Sequence, residues 1–277
     1  MADAAPAQVA NAFGGAHHRH TEGPLVITRD GDILVVGLDR QAKRNAINDS
    51  TIEALDACFS SIPDDVRAVV IHGIGPNFSA GLDLSEISER DVTDGVFHSR
   101  AWHRCFEKIE FGRVPVVAVL KGAVIGGGLE LACAAHIRVA EPSAFYALPE
   151  GQRGIFVGGG GSVRLPKLIG VARMADMMLT GRSYSAAEGV SLGFSQYLVG
   201  EDEGFAHALD LARRICGNAP LTNFAVIQAL PRIADSDPRV GYLMESLVSA
   251  VAQGDREAKT RVRAFLEKRA AKVTRPD

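Results

Sequence analysis

The 277-residue sequence has no run approaching the roughly 20 apolar residues that crossing a bilayer requires, so a membrane span is not expected. Its four cysteines, Cys58, Cys105, Cys133 and Cys216, are widely separated and form no CxxC pair, which argues against a disulfide framework and for a reducing compartment. Residues 1–15 lack a basic segment followed by an apolar one, so no secretory signal is expected, and the cytoplasm is the expected location. Neither charge sign dominates: 30 Lys and Arg against 33 Asp and Glu leave −3, which gives no general attraction to nucleic acid or to an anionic membrane. GxGxxG and GxxxxGK[ST] are absent, so the usual signatures of dinucleotide binding and a phosphate loop are missing.

What is present is an ordinary globular composition, 47% hydrophobic and 23% charged, long enough for one large domain or one domain with an appendage. Residues 1–22, with His17, His18 and His20, read as a disordered tail rather than a metal site. Segments 25–28 and 33–38 alternate around Gly31 and predict a hairpin. Lys43, Arg44 and Asn45 follow on a loop, where two adjacent cations could meet phosphate or simply face solvent. Ser50 with Glu53 is a capping-box pattern, and it opens a helix carrying Ile52, Leu55, Phe59 and Ile62 on one face. Residues 66–72 then return as a buried strand, completing strand, helix, strand. The stretch 75–84, GPNFSAGLDL, is a strand-end loop of the kind where open α/β sheets bind ligands.

Residues 86–100 are charged and irregular and read as a mobile segment over the site, ahead of a helix over 101–111 with Trp102, Cys105, Phe106 and Ile109 at core spacing. A short strand over 136–140 precedes Pro149, Glu150 and the glycine run 158–161, which leaves room for a ligand or relieves tight packing. Helices over 162–168 and 171–179, with Met174, Met177 and Met178 as core, lead to a second capping box at Ser185 and Glu188 and a strand over 196–199. Residues 203–277 read as helices only, broken at 217–220 and 235–238. The last, over 256–272, gathers Ala258, Val262, Phe265 and Leu266 on one face and Lys259, Arg261, Arg263, Lys268, Arg269 and Lys272 around the rest, a basic face that is solvated or touches a phosphate or a neighbour.

The chain is organised around residues 122–131, GAVIGGGLEL. A continuous apolar strand over 114–120 runs into Gly126, Gly127 and Gly128, and a helix over 129–135 follows. Glycines let a ligand approach the backbone, and a helix N-terminus offers unpaired amides and partial positive charge to an oxygen that becomes anionic. Glu130 falls in the first turn, beside whatever the glycines bind. A plain alternative is a turn in which glycine relieves crowding and Glu130 caps the helix.

Four stretches, 39–48 (DRQAKRNAIN), 78–84 (FSAGLDL), 122–131 and 148–161 (LPEGQRGIFVGGGG), resemble the successive motifs of the crotonase superfamily, the enoyl-CoA hydratases and isomerases. The resemblance spans about residues 23–265 and implies an α/β fold with a repeated ββα spiral core over 23–202 and a helical C-terminal region over 203–277 used in oligomerisation, as a homotrimer or a hexamer of two trimers. It implies an acyl-CoA substrate and no separate cofactor. Matched residue by residue, the backbone amides of Leu82 and Gly127 form an oxyanion hole, and Glu130 and Glu150 carry acid–base chemistry, Glu130 chiefly activating water and Glu150 chiefly protonating C2. Lys43, Arg44, Ala46, Ala80, Asp83, Leu84, Gly126, Pro149 and Gly158 fall on substrate and CoA positions. Two features depart from common relatives: Ser85 stands where many carry lysine, and 158–161 replaces a proline-containing segment. Residues 154–170, GIFVGGGGSVRLPKLIG, resemble the methylthioacryloyl-CoA hydratase branch. An enoyl-CoA isomerase needs only one of the glutamates, and an RNA-binding relative would use the basic last helix; two glutamates and a negative net charge favour the hydratase.

Overall fold

A computed structural model of the chain describes residues 20–86 and 91–269. Two compact units meet between Ile215 and Cys216, so the helix Gly204–Cys216 belongs almost entirely to the first unit rather than opening a separate C-terminal region at 203.

The Val- and Ile-rich runs become strands because branched side chains pack well on a pleated surface, and runs buried on both faces suit parallel sheets. In chain order the strands are β1 (His20–Glu22), β2 (Leu25–Asp30), β3 (Ile33–Leu38), β4 (Ala68–Gly73), β5 (Val116–Leu120), β6 (Ala123–Ile125), β7 (Ile137–Ala140), β8 (Phe145–Ala147), β9 (Tyr184–Ser185) and β10 (Tyr197–Leu198). One seven-stranded sheet runs β1-β2-β3-β4-β5-β7-β10, and β6, β8 and β9 form a second. The expected hairpin is β2–β3, antiparallel, while β3, β4, β5, β7 and β10 run parallel. The tail expected over 1–22 lies outside the described residues up to residue 19, His17 and His18 included, and its last three residues instead pair with β2 as an edge strand.

The first-unit helices are α1 (Asp49–Ser60), α2 (Val92–Glu110), α3 (Gly127–Ala134), α4 (Gly161–Ile169), α5 (Val171–Thr180), α6 (Ala186–Leu192) and α7 (Gly204–Cys216). The spiral repeat is visible in how these elements alternate. β5 joins the large sheet, β6 the small one, and α3 follows; β7 and β8 repeat the step before α4. One turn earlier, β4 joins the large sheet, and Ser79 bridges in parallel to Val124 of β6 before the chain reaches α2. This is the ββα spiral that the resemblance implies.

Two helix starts differ from expectation. Asn48 rather than Ser50 caps α1, accepting from the Thr51 amide at 3.1 Å; the helix begins two residues earlier, and Ser50 inside its first turn donates to Asn48 Oδ1 at 2.9 Å. The irregular segment expected over 86–100 is helical from Val92 onward, capped by Asp91, whose carboxylate accepts from the Asp94 amide at 2.8 Å. The hydrophobic pattern fails there because Val92, Val96 and Phe97 are exposed, whereas Trp102, Cys105, Phe106 and Ile109 on the same helix are buried. The second capping box, Ser185 with Glu188, is present.

In the second unit, α8 (Pro220–Ala234) and α9 (Pro238–Gly254) each start on a proline, where the missing amide costs nothing. The last helix starts where expected, with Asp255 capping α10 (Arg256–Leu266), and ends before the expected 272. On α10, Val262, Phe265 and Leu266 are exposed, and Lys272 lies outside the described residues. No described helix is long and apolar enough to cross a membrane.

Loops 40–47 and 74–83 of the first unit are stapled together by Asn45. It is 2% exposed and left-handed (φ 54°), a conformation asparagine tolerates well. Its amide donates to the Ile74 and Asn77 carbonyls at 3.0 and 2.8 Å, its Oδ1 accepts from Arg40 N at 2.9 Å, and its carbonyl accepts from Ser79 Oγ at 2.7 Å. Arg40 adds bonds to the Ala46 carbonyl and to Asp83 Oδ2. Asn45→Ala strands two carbonyls and one amide, so it should lower unfolding free energy by about 2–3 kcal/mol. Urea unfolding measures this, and an unchanged midpoint contradicts the staple.

Candidate active site

The turn between β6 and α3 is built from close approaches that only glycine permits. A Cβ on Gly127 would lie 2.6 Å from the Trp102 ring and 3.3 Å from the Leu82 nitrogen, so this glycine sits directly beside the 82 amide. Gly126 has φ +51°, and a Cβ there would fall 2.5 Å from Glu150 Oε1. Among the described residues, neither the Leu82 nor the Gly127 amide donates to a backbone or side-chain acceptor. The helix begins at Gly127, two residues before the expected 129, and Glu130 lies in its first turn as expected.

Glu130 is 3% exposed, and an ion so placed needs donors. Its Oε1 accepts from the Gly159 and Gly161 amides at 2.8 and 2.7 Å. Gly161 is the first residue of α4, so the positive end of a second helix faces the carboxylate. Burial raises the Glu130 pKa above the ordinary range, while the amides of Gly161, Gly159 and Gly158 and the charge of Arg164 draw it back.

Glu150 opens the short turn Gly151–Arg153 and is 7% exposed. Burial pushes its pKa up to about 7; its own backbone amide opposes this, and the negative charge of Glu130 adds to it. Its Oε2 is buried without a hydrogen-bond partner among the described residues.

These groups share a cavity of about 330 Å³. Glu130, Glu150, Leu82, Gly127, Ala80, Leu84, Gly126 and Gly158 all line it. The other expected residues do not: Lys43 and Arg44 are exposed, Ala46 is buried, and Pro149 is half-buried. Asp83 is also outside the lining, its carboxylate taken by Ser85 Oγ at 2.7 Å and Arg40 at 2.9 Å, which hold its pKa down to about 2. Ser85, the departure from common relatives, thus braces the loop that carries Leu82 and Asp83.

Several lining residues escaped the sequence reading. α2 contributes Asp91, Gly95, His98, Ser99 and Trp102. Trp102 Nε1 donates to His98 Nε2 at 3.0 Å, and Ser99 Oγ donates to the Gly158 carbonyl at 2.7 Å. Ser99 thereby grips the same peptide unit whose N–H serves Glu130. The available signal was the spacing of 98, 99 and 102, which puts all three on one helical face, and the glycine run ending directly at a helix start. Chemically, the arrangement offers two main-chain donors, one carboxyl group met by backbone amides and a second whose pKa is pushed up to about 7.

The family model described as enoyl-CoA hydratase/isomerase matches residues 28–275. A short-chain-enoyl-CoA hydratase of Clostridium acetobutylicum is 30% identical over 248 residues, covering 88% of this chain and 95% of that protein. A carnitinyl-CoA dehydratase of Salmonella enteritidis is 36% identical over 221 residues, 79% of this chain and 84% of that one. A solved chain from Rhodopseudomonas palustris assigned as an enoyl-CoA hydratase is 68% identical, covers 88% of this chain and 95% of its own, and superposes with a TM-score of 0.87. With its spiral fold, its paired glutamates and these similarities, the chain belongs to the enoyl-CoA hydratase/isomerase family of the crotonase superfamily.

Proposed function

We propose that the protein adds water syn across the 2,3 double bond of a 2-enoyl-CoA thioester. The observation that carries this reading is one cavity presenting two glutamates of different environment beside two unengaged main-chain amides. The thioester oxygen sits between the Leu82 and Gly127 amides, which stabilise it as it gains charge; such a donor is typically worth about 10²–10³ in rate. One water is held by both carboxyls. Glu130 as the carboxylate, its charge opposed by burial and favoured by its amide donors, takes a proton as the water oxygen bonds to C3, and Glu150, protonated, delivers a proton to C2 as the enolate collapses. These are proton transfers and one oxyanion, so the reaction calls for no separate cofactor.

In the same reading the pantetheine passes Ala80 and Leu84 and the nucleotide lies near Lys43 and Arg44. Ala46 and Asp83 shape that path through the Arg40 staple, while Gly126, Pro149 and Gly158 border the acyl end. The acyl group is short in this reading, following the resemblance of residues 154–170 to the methylthioacryloyl branch. Assembly as a trimer or hexamer and a cytoplasmic location belong to the reading too. They rest on the resemblance and on four cysteines widely separated in the sequence.

Glu130→Gln and Glu150→Gln should each lower kcat for hydration of crotonyl-CoA by about 10²–10⁴ while leaving circular dichroism unchanged. Near-normal turnover by either folded variant rejects the assignment. The pH profile gives a second test. Hydration uses the protonated Glu150, whose pKa is about 7, so kcat/KM should be sustained below that value and fall as pH rises through it. A flat profile from pH 6 to 9 would contradict Glu150 as the proton donor.

A further inference from the structure

We propose that Arg164 is a positioning residue for Glu130: its guanidinium, neutralised by Glu110, fixes the Gly159 carbonyl and so aims the Gly159 and Gly161 amides at the Glu130 carboxylate. This rests on the reading of Glu130 as the group that activates water.

The geometry forms a chain of contacts. Arg164 Nε meets Glu110 Oε2 at 2.6 Å, and Arg164 Nη1 donates to the Gly159 carbonyl at 3.0 Å. The same glycine's amide donates to Glu130 Oε1 at 2.8 Å, and the Gly161 amide does so at 2.7 Å. Between them Gly160 is left-handed at φ +95°, and a Cβ on it would fall 2.3 Å from Arg164 Nη1. A Cβ on Gly161 would in turn fall 2.8 Å from the Glu130 side chain. Segment 159–161 is therefore sandwiched between a guanidinium on one side and a carboxylate on the other.

Stability alone is a weak reason for such a pair. The Arg164 side chain is only 8% exposed, and a buried ion pair is often no more stabilising than apolar groups of the same volume. What a planar fork adds is direction: one arm engages the anion, the other a chosen carbonyl, and lysine cannot reproduce both. The fork also brings positive charge near Glu130. The other charged or titratable groups around that carboxylate are Glu150 and Arg153 on the 150–153 turn, Asp91, His98 and His103 on α2, and Cys133 on its own helix.

The test compares wild type, Arg164→Met, Arg164→Lys and Glu130→Gln in crotonyl-CoA hydration, with kcat, KM and the pH dependence of kcat/KM. In Arg164→Met, kcat should fall by up to about 10²-fold with little change in KM, because misaiming a catalytic group by an ångström has that effect. Loss of the cation and of the aligned amides disfavours ionised Glu130, so the acid limb should move up by about one pH unit. Arg164→Lys should keep the acid limb close to wild type and recover only part of kcat. A folded Arg164→Met with wild-type kcat and acid limb overturns the proposal; if that variant does not fold, wild-type kcat in Arg164→Lys overturns it. Glu130→Gln separates the two readings. An active Glu130→Gln defeats the role of Glu130 itself, whereas an inactive one beside an unaltered Arg164→Met defeats only the role of Arg164.

Discussion

A carboxylate almost wholly removed from water is the constraint around which this molecule is arranged. An isolated buried carboxylate would take up a proton rather than bear the cost of losing its hydration. At Glu130 the first turns of two helices converge and oppose that effect: it belongs to the opening turn of α3, and the opening turn of α4 supplies amide donors. Each helix N-terminus has amides with no partner inside its own helix, so directing them at an anion satisfies both the donors and the charge. The glycines follow from this demand. Amides can approach a carboxylate to within 2.8 Å from a sharply turned segment only where side chains are absent, and residues 158–161 have none.

The second glutamate shows the opposite solution. Glu150 is nearly as buried, but one of its oxygens has no partner among the described residues and the charge of Glu130 opposes its ionisation. Two chemically identical side chains are thereby given different surroundings, one met by amides and the other not. In the proposed reaction the division of labour follows from which glutamate receives the amides, so it resides in the backbone path more than in the residue types.

The sequence shows the scaffold more readily than the supports of the site. The parallel strands, α1 and the helix over residue 130 are legible because hydrophobic periodicity and glycine placement are local signals, and the glutamates and oxyanion amides stand in motifs of known order. Three kinds of feature are not legible. The first half of α2 is hidden because a helix that walls a cavity keeps Val92, Val96 and Phe97 exposed and carries His98 and Ser99 inward, erasing the usual stripe. The Arg40–Asp83 pair joins residues far apart in sequence, so nothing local marks Asp83 as bound within the protein rather than open to ligand. The cap of α1 is displaced because Asn48 and Ser50 are both good N-cap residues, and only the entering backbone decides between them.

The oxyanion loop and the glutamates are coupled through the same packing. Trp102 is the pivot: its ring lies against the place where Gly127 would carry a Cβ and, at 3.0 Å, against the corresponding place at Gly159. One rigid side chain therefore lies between the Gly127 turn and the segment that holds Glu130. Its indole is in turn oriented by His98, on the preceding turn of α2. Close-packed interiors transmit displacements rather than absorb them. A tilt of α2 would thus press on the Gly127 turn and the 159 segment together while it alters the room in the cavity. That is a physical route by which one helix can retune the pocket without dismantling the chemistry.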